Sequence, residues 1–383
     1  MRIMHVITGL DTGGAEMMLL KLLSGRSEEF EPVVVSLTDE GVLGPRIKAL
    51  GVPVYSLGLR TRLPNPLRLL SIRTITRRFQ PQLIQGWMPH GNLVASLAGV
   101  LSRTRTAVLW NVRMSLYNIR AEPLLTAGAI RLGATFSRRP VAIVYNSQTG
   151  AGQHEALGYR AEKSVVIPNG FDCRMFRRDD EARQRVRAEL GVDDATVLVG
   201  LVARFHPMKD HAGFLRAAGA VARKHPNLHI VLAGSGVTWA EPLLQKLIAE
   251  EQLQKQVFLL GERQDIPAIT AALDIACSAS AWAEGFSNAI GEAMACGVPC
   301  VVTDIGDSAY IVRDTGLVAP ARNPEALAQA IRQLIEAGPA ARRQLGDAAR
   351  RRAESEFSLP AIVCRYEDLY RKHLQISKRQ EIQ

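Results

Sequence analysis

Short apolar segments alternate with longer amphipathic segments along the whole chain. The short runs are four to eight residues long and lack strict alternation, which is typical of strands buried on both faces of a parallel sheet. We predict strands at residues 3–8, 32–37, 52–57, 83–86, 107–111, 141–146, 165–168, 196–203, 228–233, 257–260, 275–278 and 299–303. Helical patterns separate many of them, for example at 15–24, 67–79 and 324–337. This alternation predicts a doubly wound α/β fold.

The predicted strands fall into two sets, which indicates two domains. The first set ends at residue 168, the second begins at residue 196, and the charge-rich stretch 177–194 between them starts no strand. At roughly 100–200 residues per domain, a chain of 383 residues also fits two domains. We therefore predict a first domain, a linker, a second domain and a C-terminal helix that packs back on the first domain, at residues 1–172, 173–195, 196–360 and 361–383.

The composition is that of an ordinary globular protein, with 47% hydrophobic and 22% charged residues. The longest apolar run, at residues 93–101, is about half of the roughly 18–20 residues that a membrane helix needs. The N-terminus reads as a first strand and lacks the features of a signal peptide, so we predict a cytoplasmic protein. The five cysteines form no C-x-x-C pair, which favours reduced thiols over a zinc site.

The net charge of +10 is concentrated in one part of the first half. Residues 41–121 carry twelve Lys and Arg residues and no Asp or Glu. Such a patch predicts an anionic partner, which could be nucleic acid, an acidic lipid surface or a phosphorylated substrate. No nucleic-acid recognition motif accompanies the patch and aromatic residues are only 5%, so we do not expect nucleic acid to be the partner.

A helical pattern within this basic stretch, at residues 67–79, interleaves arginines with apolar residues. It is compatible with a basic amphipathic helix that lies on an anionic membrane surface. An ordinary helix that packs on its own sheet and leaves its arginines in solvent is the alternative, which the pattern favours somewhat more. The sequence leaves both readings open.

In the second half, two cationic residues follow a predicted strand. Arg204 and Lys209 lie in the loop that leaves strand 196–203, and ligands of open α/β sheets bind beyond the carboxyl ends of the strands. An arginine fork together with a mobile lysine suits a diphosphate. A solvated loop is the alternative reading.

Two carboxylates flank the start of the helix that follows strand 275–278. Glu284 lies just before it and Glu292 lies inside it, eight positions later, so the two can reach different parts of one elongated ligand. Ser287 can cap this helix, which we expect to run to Cys296 before Gly297 ends it. The free N–H groups at its N-terminus favour an anion. The alternative is a surface acid beside an ordinary core helix.

The segment E-G-F-S-N followed by E-A-M-A-C-G-V-P, at residues 284–288 and 292–299, resembles the E-x7-E element of retaining nucleotide-sugar glycosyltransferases. These are enzymes of the GT-B type, family four, and the resemblance is to bacterial members that build envelope and extracellular polysaccharides. It extends in order through Gly13-Gly14, residues 167–172, Arg204, Lys209 and residues 260–266. The resemblance implies two Rossmann-like domains that face each other across an interdomain cleft.

The resemblance also implies roles for individual residues. Arg204 and Lys209 would bind the donor diphosphate and stabilise the charge that grows as it leaves, with Gly13 and Gly14 closing over it. Glu292 would accept hydrogen bonds from the ribose, and Arg263 would face the base through its backbone. The donor sugar would contact Glu284 and the N–H groups of Gly285, Phe286 and Ser287.

The family's reaction implies front-face attack by the acceptor hydroxyl through an oxocarbenium-like state. A Glu284 nucleophile, as in two-carboxylate glycosidases, is the less favoured alternative. The cationic pair replaces a metal ion in this scheme, and no D-x-D element ends a predicted strand, so we expect no metal and no other cofactor.

At one position the chain departs from the family pattern. Many relatives carry a histidine after the strand that here ends in Asn111-Val112-Arg113, whereas this chain supplies His90 after the preceding strand. We therefore consider His90 and Arg113 candidate residues on the acceptor side. The implied acceptor is a glycan or a lipid-linked intermediate, and peripheral contact with the inner face of an anionic plasma membrane is compatible with it. A sugar-nucleotide epimerase or a soluble-glucan synthase of the same fold remains an alternative.

Overall fold

The structure, a computed structural model, describes residues 1–59, 68, 70–102 and 106–382, with side chains through residue 375. It divides into two compact units, Met1–Gly170 with Leu359–Gln383 and Phe171–Ser358. No helix within these described ranges has the length and apolar content needed to cross a membrane.

All paired strands in both units are parallel. In chain order, the strands of the described residues are β1 (Arg2–Ile7), β2 (Glu31–Ser36), β3 (Val54–Ser56), β4 (Leu83–Trp87), β5 (Ala107–Val112), β6 (Ala142–Tyr145), β7 (Ser164–Val166), β8 (Val197–Val202), β9 (Leu228–Ala233), β10 (Val257–Leu259), β11 (Ile275–Ser278), β12 (Cys300–Thr303) and β13 (Gly316–Ala319).

Helices connect most successive strands. Those of the described residues are α1 (Gly14–Gly25), α2 (Gly44–Ala49), α3 (Ser71–Phe79), α4 (Met88–Leu101), α5 (Leu124–Phe136), α6 (Gln148–Ala156), α7 (Asp180–Glu189), α8 (His211–Ala222), α9 (Pro242–Glu250), α10 (Ile266–Ala272), α11 (Asn288–Ala295), α12 (Ser308–Val312), α13 (Pro324–Glu336), α14 (Gly338–Glu356) and α15 (Leu359–Ile382).

Each unit is built on one sheet with the strand order of a dinucleotide-binding fold. The first sheet has the order β3-β2-β1-β4-β5-β6-β7, and the second has the order β10-β9-β8-β11-β12-β13. The chain direction across each sheet reverses once, between β1 and β4 and between β8 and β11. The structure therefore confirms the predicted doubly wound α/β class, and each reversal marks the place where such sheets bind ligands.

The central strands are buried on both faces, as their continuous apolar runs predict. In the first sheet Met4 pairs with Val33 and Ile84, and none of the three is more than 1% exposed. In the second sheet Val199 pairs with Ile230 and Ile275, all fully buried. Short connections and helices on both faces leave the loops at the carboxyl ends of the strands as the variable surface.

Two segments differ from the sequence-based division. Residues 173–195, predicted as a linker, contain α7, whose Ala182 and Val186 pack with Ala268 and Ala272 inside the second unit. Residues 316–319 form strand β13, which we did not predict because the segment is short and follows a tight turn. Tertiary packing, and not the local sequence pattern, determines the secondary structure of both segments.

The C-terminal helix α15 belongs to the first unit. Its buried residues Ile362, Tyr366 and Leu374 join the same core cluster as Leu19 of α1. The backbone N–H of Ser27 donates a hydrogen bond of 2.7 Å to Glu367 of α15. This placement corresponds to the helix predicted at 361–383.

The basic helix α3 lies with its apolar side inward. Ile72 is fully buried, and Ile75 and Phe79 pack against the same cluster of the first unit, while Arg73 and Arg78 are exposed. Residues 67 and 69 of the predicted helix, like four of the twelve bases in the patch, lie outside the described residues. For the described part, the structure favours the reading of a helix packed on its own sheet.

Candidate active site

Arg204, Lys209 and residues 284–287 of the predicted donor site lie in the loops that follow β8 and β11, whereas Arg263 follows the edge strand β10 and Glu292 lies within α11. Strands β8 and β11 are neighbours at the point where the second sheet reverses direction. The loop after β8 and the loop after β11 are joined directly, since the N–H of Ala281 donates a hydrogen bond of 2.8 Å to the carbonyl of Met208. The sheet topology thus brings together residues more than seventy positions apart in sequence.

Lys209 and Glu284 form the centre of this region. The Lys209 ammonium donates a hydrogen bond to Oε2 of Glu284, and the Ser280 hydroxyl donates another to the same oxygen at 2.8 Å. Glu284 is 9% exposed and Ser280 is 1% exposed. The carboxylate is therefore held by two donors in a shielded place, which fixes its orientation and strengthens each bond.

The backbone around Glu284 is tightly constrained. Ala283 has a φ of 56°, which a non-glycine residue rarely adopts. Gly306 has a φ of 62°, and a Cβ there would lie 2.2 Å from the carbonyl oxygen of Glu284. Strained backbone of this kind persists only where the surrounding structure enforces it, and it is common at binding sites.

Arg204 stands apart from these contacts. It is exposed, and among the described residues it has no side-chain hydrogen bond or ion pair. Its loop is nevertheless ordered, because the N–H of Phe205 donates a hydrogen bond of 2.8 Å to the carbonyl of Ser235. Gly234 permits this approach, since a Cβ there would lie 2.3 Å from the carbonyl oxygen of Ala203. The Arg204 guanidinium is thus carried on an ordered loop and is exposed to solvent.

Helix α11 begins beside Glu284. Ser287 occupies its N-cap position, as predicted, but the expected side-chain capping hydrogen bond is not formed. Phe286 is buried and stacks on Phe171, with ring centroids 5.9 Å apart, and the carbonyl of Gly285 accepts a hydrogen bond of 2.8 Å from Asp307. The segment is therefore anchored by its aromatic ring and backbone, and the Ser287 side chain does not cap the first turn of the helix.

Glu292 lies on α11, eight positions after Glu284, and is half-buried. With Val202, Ala276 and Ala289 it lines a small cavity beside the ends of β8 and β11. Its neighbours there are mainly apolar, so its carboxylate is the main polar group of that lining.

Arg263 is fixed by two carboxylates. Its Nε lies 2.7 Å from Asp265 and its Nη1 lies 2.7 Å from Glu189. Hydrogen bonds with Asp265 first, and with Glu189 second, raise the pKa of Arg263. With its guanidinium engaged in this way, the backbone remains the part of Arg263 that can meet a ligand.

The other predicted site residues belong to the first unit. Gly13 and Gly14 begin α1 after β1, His90 lies in the first turn of α4 after β4, and Arg113 directly follows β5. All of these follow the carboxyl ends of neighbouring strands of the first sheet. Burial lowers the pKa of His90.

Sequence reasoning missed two residues that support Glu284. Ser280 donates to its carboxylate, and the Thr303 hydroxyl at the end of β12 donates a hydrogen bond of 2.7 Å to the Ser280 carbonyl. A serine four positions before a glutamate in a loop carries no signal of its own, and the Thr303 contact spans two strands. His211 was also missed: it is buried at the start of α8 against Phe205, with ring centroids 5.2 Å apart.

The described residues contain no group of three or more His, Cys, Asp or Glu side chains that could hold a metal ion. Metal independence stays a prediction, because this observation concerns resident protein ligands only. The chemistry of the described site is that of cations, one buried carboxylate, a second carboxylate and the N-terminus of α11.

Both halves of the chain match models of glycosyltransferase families. Residues 12–174 match the family described as Glycosyltransferase Family 4, and residues 182–352 match the one described as Glycosyl transferases group 1. The two matches fall on the two sheets in turn.

Several relatives and solved structures are similar to the chain. The lipopolysaccharide core biosynthesis mannosyltransferase LpsB of Rhizobium meliloti (strain 1021) is 29% identical over 345 residues, which cover 86% of this chain and 92% of the relative. The UDP-Gal:alpha-D-GlcNAc-diphosphoundecaprenol alpha-1,3-galactosyltransferase of Escherichia coli is 31% identical over 154 residues, 40% of this chain and 39% of the relative. The structure of Anabaena Alr3699/HepE in complex with UDP has a TM-score of 0.85 and 22% identity, covering 97% of this chain and all of that one. The similarity to the Alr3699/HepE structure supports the assignment of the fold.

Proposed function

Because the chain is a glycosyltransferase with the two-domain GT-B fold, we propose that it is a retaining enzyme of polysaccharide assembly. It moves a sugar from a nucleotide-diphosphate sugar to a hydroxyl group of a lipid-linked or envelope glycan intermediate. The observation that carries the proposal is the arrangement at the end of β8, where the available Arg204 lies in the same loop as a Lys209–Glu284 pair.

The donor diphosphate binds to Arg204 and Lys209 beside the first turn of α11. Two cations and the N-terminus of a helix all favour negative charge at the same place. The ribose hydroxyls donate to Glu292, and the base lies against the backbone near Arg263. The roles predicted for Gly13 and Gly14 of the first unit stay predictions.

The sugar is held by Glu284 and by the N–H groups of Gly285, Phe286 and Ser287. The bond between the anomeric carbon and the diphosphate oxygen breaks, and a bond from the acceptor oxygen to the same face of that carbon forms. The acceptor hydroxyl passes its proton to the leaving diphosphate, whose growing negative charge Arg204 and Lys209 stabilise. Neither step requires a group outside the two substrates and the chain.

The contacts of Glu284 support an orienting role over a nucleophilic one. A carboxylate oxygen that accepts hydrogen bonds from Lys209 and Ser280 is a weakened nucleophile. As the ammonium turns toward the diphosphate, the same carboxylate can accept a hydrogen bond from a sugar hydroxyl while Ser280 keeps it in place.

The acceptor side is proposed to lie in the first unit, with His90 and Arg113. Two relatives support a glycan or lipid-linked acceptor through their names: one acts in lipopolysaccharide core biosynthesis, and the other uses a sugar linked to diphosphoundecaprenol. The basic stretch of the first unit, with twelve bases and no acid in residues 41–121, is compatible with an acidic acceptor or membrane surface.

Contact with an anionic membrane is proposed to use exposed arginines such as Arg73 and Arg78, since the apolar side of α3 is packed inward. Flotation with vesicles of anionic lipid at low salt tests this contact. Salt, or Arg73→Glu with Arg78→Glu, should abolish flotation, whereas flotation that survives both changes would contradict a contact through α3.

The donor proposal is tested by screening nucleotide sugars for protection of the protein against thermal unfolding. We expect one nucleotide class to raise the melting temperature, and Glu292→Ala to lose that protection. Full protection in Glu292→Ala would show the ribose assignment to be wrong. EDTA should leave turnover of the matching donor unchanged, because the cationic pair performs the part of a metal.

With the donor known, the anomeric configuration of the product tests retention. NMR of the product should show the configuration of the donor sugar, and inversion would overturn the proposed mechanism. Incubation with donor alone separates the alternative, because an epimerase converts the donor without an acceptor and a transferase requires one.

A further inference from the structure

We propose that Arg113 is the receptor for an anionic group, a phosphate or a carboxylate, on the acceptor substrate. This inference rests on the proposed function and adds the chemical class of the group that the first unit recognises. The inference rests on the residues that surround one buried cation, the Arg113 guanidinium, at the carboxyl end of β5.

Arg113 is 9% exposed and has only neutral partners. Its Nη1 donates to the Tyr366 hydroxyl at 2.9 Å and to Asn111 at 3.5 Å, and its Nη2 donates to the amide oxygen of Asn169. Its guanidinium carbon lies 5.9 Å from the ring centroid of Trp87. These groups hold the cation in place without neutralising it.

Other buried arginines of this chain show what a structural arginine looks like. Arg187, 2% exposed, forms an ion pair with Asp274, and Arg352, 8% exposed, forms one with Glu356. Of the three buried arginines within the described residues, Arg113 alone has no carboxylate partner. An uncompensated buried charge is costly, so a site that keeps one is suited to receive its counterion from a ligand.

The surrounding fold increases the positive potential at this place. Strands β4, β5 and β6 are neighbours, and α4 and α6 begin directly after β4 and β6, so both helix N-termini flank the residue that ends β5. Neither helix has an acidic residue in its first turn. Helix N-termini favour anions, and here they reinforce the charge of Arg113.

The guanidinium also retains donors for a ligand. Three hydrogen bonds engage three of its five N–H groups, which leaves the one on Nε and one on Nη2 without a partner among the residues that the structure describes. Two N–H groups on one planar guanidinium can donate to the oxygens of a carboxylate or a phosphate. The ligand is therefore an oxyanion, supplied either by a lipid-linked diphosphate or by an acidic sugar.

The test measures binding of two small probes by calorimetry, inorganic pyrophosphate for the first source and methyl β-D-glucuronide for the second. The full-length chain carries Arg204→Ala and Lys209→Ala, so that pyrophosphate cannot occupy the proposed donor site. We expect saturable binding of one probe, and a loss of about tenfold to a hundredfold in affinity when Arg113→Gln is added. The probe that binds identifies the source of the oxyanion.

Two variants keep the result interpretable. Arg131→Gln removes an exposed base of α5 in the same unit and should leave the affinity unchanged. Tyr366→Phe removes a neutral partner but keeps the cation, and should preserve binding to within about threefold. A loss in Tyr366→Phe as large as that in Arg113→Gln would mean that Arg113 is only structural, and would overturn the proposal.

Absence of saturable binding for both probes, or equal binding with and without Arg113, would also overturn it. These outcomes are distinct from failure of the proposed function, which is measured on the unsubstituted chain with nucleotide sugars and depends on residues of the second unit. A chain that binds no nucleotide sugar can still bind the probe at Arg113, and the reverse also holds.

Discussion

Both ends of the second sheet carry basic side chains, but these side chains have different partners at the two ends. At the amino end, where strands begin and helices end, arginines bind the last carbonyls of the helices. Arg183 donates to the carbonyl of Ala272 at 2.8 Å, Arg342 donates to that of Ile335 at 3.2 Å, and Arg350 donates to that of Ala295. At the carboxyl end, Lys209 contacts one carboxylate and Arg204 has no side-chain partner within the described residues.

The difference follows from the direction of the helices. Helices antiparallel to the strands place their negative ends at the amino end of the sheet, where arginines neutralise them. At the carboxyl end the helix N-termini and the cations have the same sign, so their potentials add. A depression lined by Arg178, Arg183 and Arg342 at the amino end is therefore structural, whereas the carboxyl end is left with positive potential that a ligand must satisfy.

The largest expected effect is that of removing a cation from the carboxyl end. Lys209→Met should lower kcat/KM for the donor about a hundredfold to a thousandfold, because the charge of the leaving diphosphate loses one stabilising group. Steady-state kinetics with the donor found by thermal protection measures this.

The matched control lies at the other end of the sheet. Arg343→Met removes an exposed base from the rim of the amino-end depression and should leave kcat/KM unchanged. Equal losses in the two variants would mean that overall charge, and not position relative to the helix ends, controls the activity.

The reverse experiment removes a cation from the amino end. Arg187 forms an ion pair with Asp274 at 3.2 Å, and their side chains are 3% and 14% exposed. Arg187→Met should lower the free energy of unfolding by about 3 kcal/mol, since it leaves a shielded carboxylate with fewer partners. Urea unfolding measures the loss, and the donor affinity of the folded variant should not change.

Arg223→Met is the comparison for the loss of stability expected in Arg187→Met. Arg223 is paired with Glu251 at 3.3 Å on the surface, with its side chain 62% exposed, so the cost should be below about 1 kcal/mol. A weakened donor affinity in Arg187→Met would contradict the separation of the two ends.

The fold was predictable because its signal is local and repeated. Each apolar run of four to eight residues marks a strand, and most of the runs did become strands. The places of Lys209 and Glu284 in the fold were predictable for a different reason, since a loop after a strand and the start of a helix are recognisable in the sequence, and their roles in binding stay predictions. The tertiary contacts of α7 with α10 left no comparable local signal, and the segment therefore read as a linker.

The contacts that refine the site were not predictable. Which oxygen of Glu284 is bound, and by which serine, depends on the path of a loop with a left-handed residue at Ala283. The neutral surroundings of Arg113 depend on Tyr366, which reaches β5 from a helix more than 250 positions later in the chain. Sequence pattern predicts where ligands bind in this fold, but long-range packing determines the hydrogen bonds and burial of each side chain.

The potential at the carboxyl end can also be probed through pH. Burial lowers the pKa of His211 to about 4, with a smaller contribution from the charge of Lys209. The unfolded chain therefore takes up a proton near pH 6.5, before the folded chain does, and stability falls as the pH drops from there toward 4. Between pH 7 and pH 5, His211 should lower the free energy of unfolding by about 2 kcal/mol.

His211→Gln isolates this contribution. The free energies of unfolding of the unsubstituted protein and of His211→Gln differ, and this difference should change by about 2 kcal/mol between pH 7 and pH 5. Other buried histidines such as His5 are present in both proteins, so their contributions cancel in the difference. A difference independent of pH would show that His211 is not held neutral in the folded state.

The smallest effect expected is on the orientation of Glu284. Ser280→Ala removes one of the two donors to its Oε2, leaves Lys209 in place, and should lower kcat about fivefold to tenfold with little change in KM for the donor. In a Glu284→Gln background the same change should add nothing further, because the hydroxyl acts through that carboxylate. Ser137→Ala removes an equally buried hydroxyl from the first unit and should not affect turnover. If Ser280→Ala instead raised KM and its effect persisted with Glu284→Gln, the serine would contact the donor itself, and the carboxyl end would contain a further binding group.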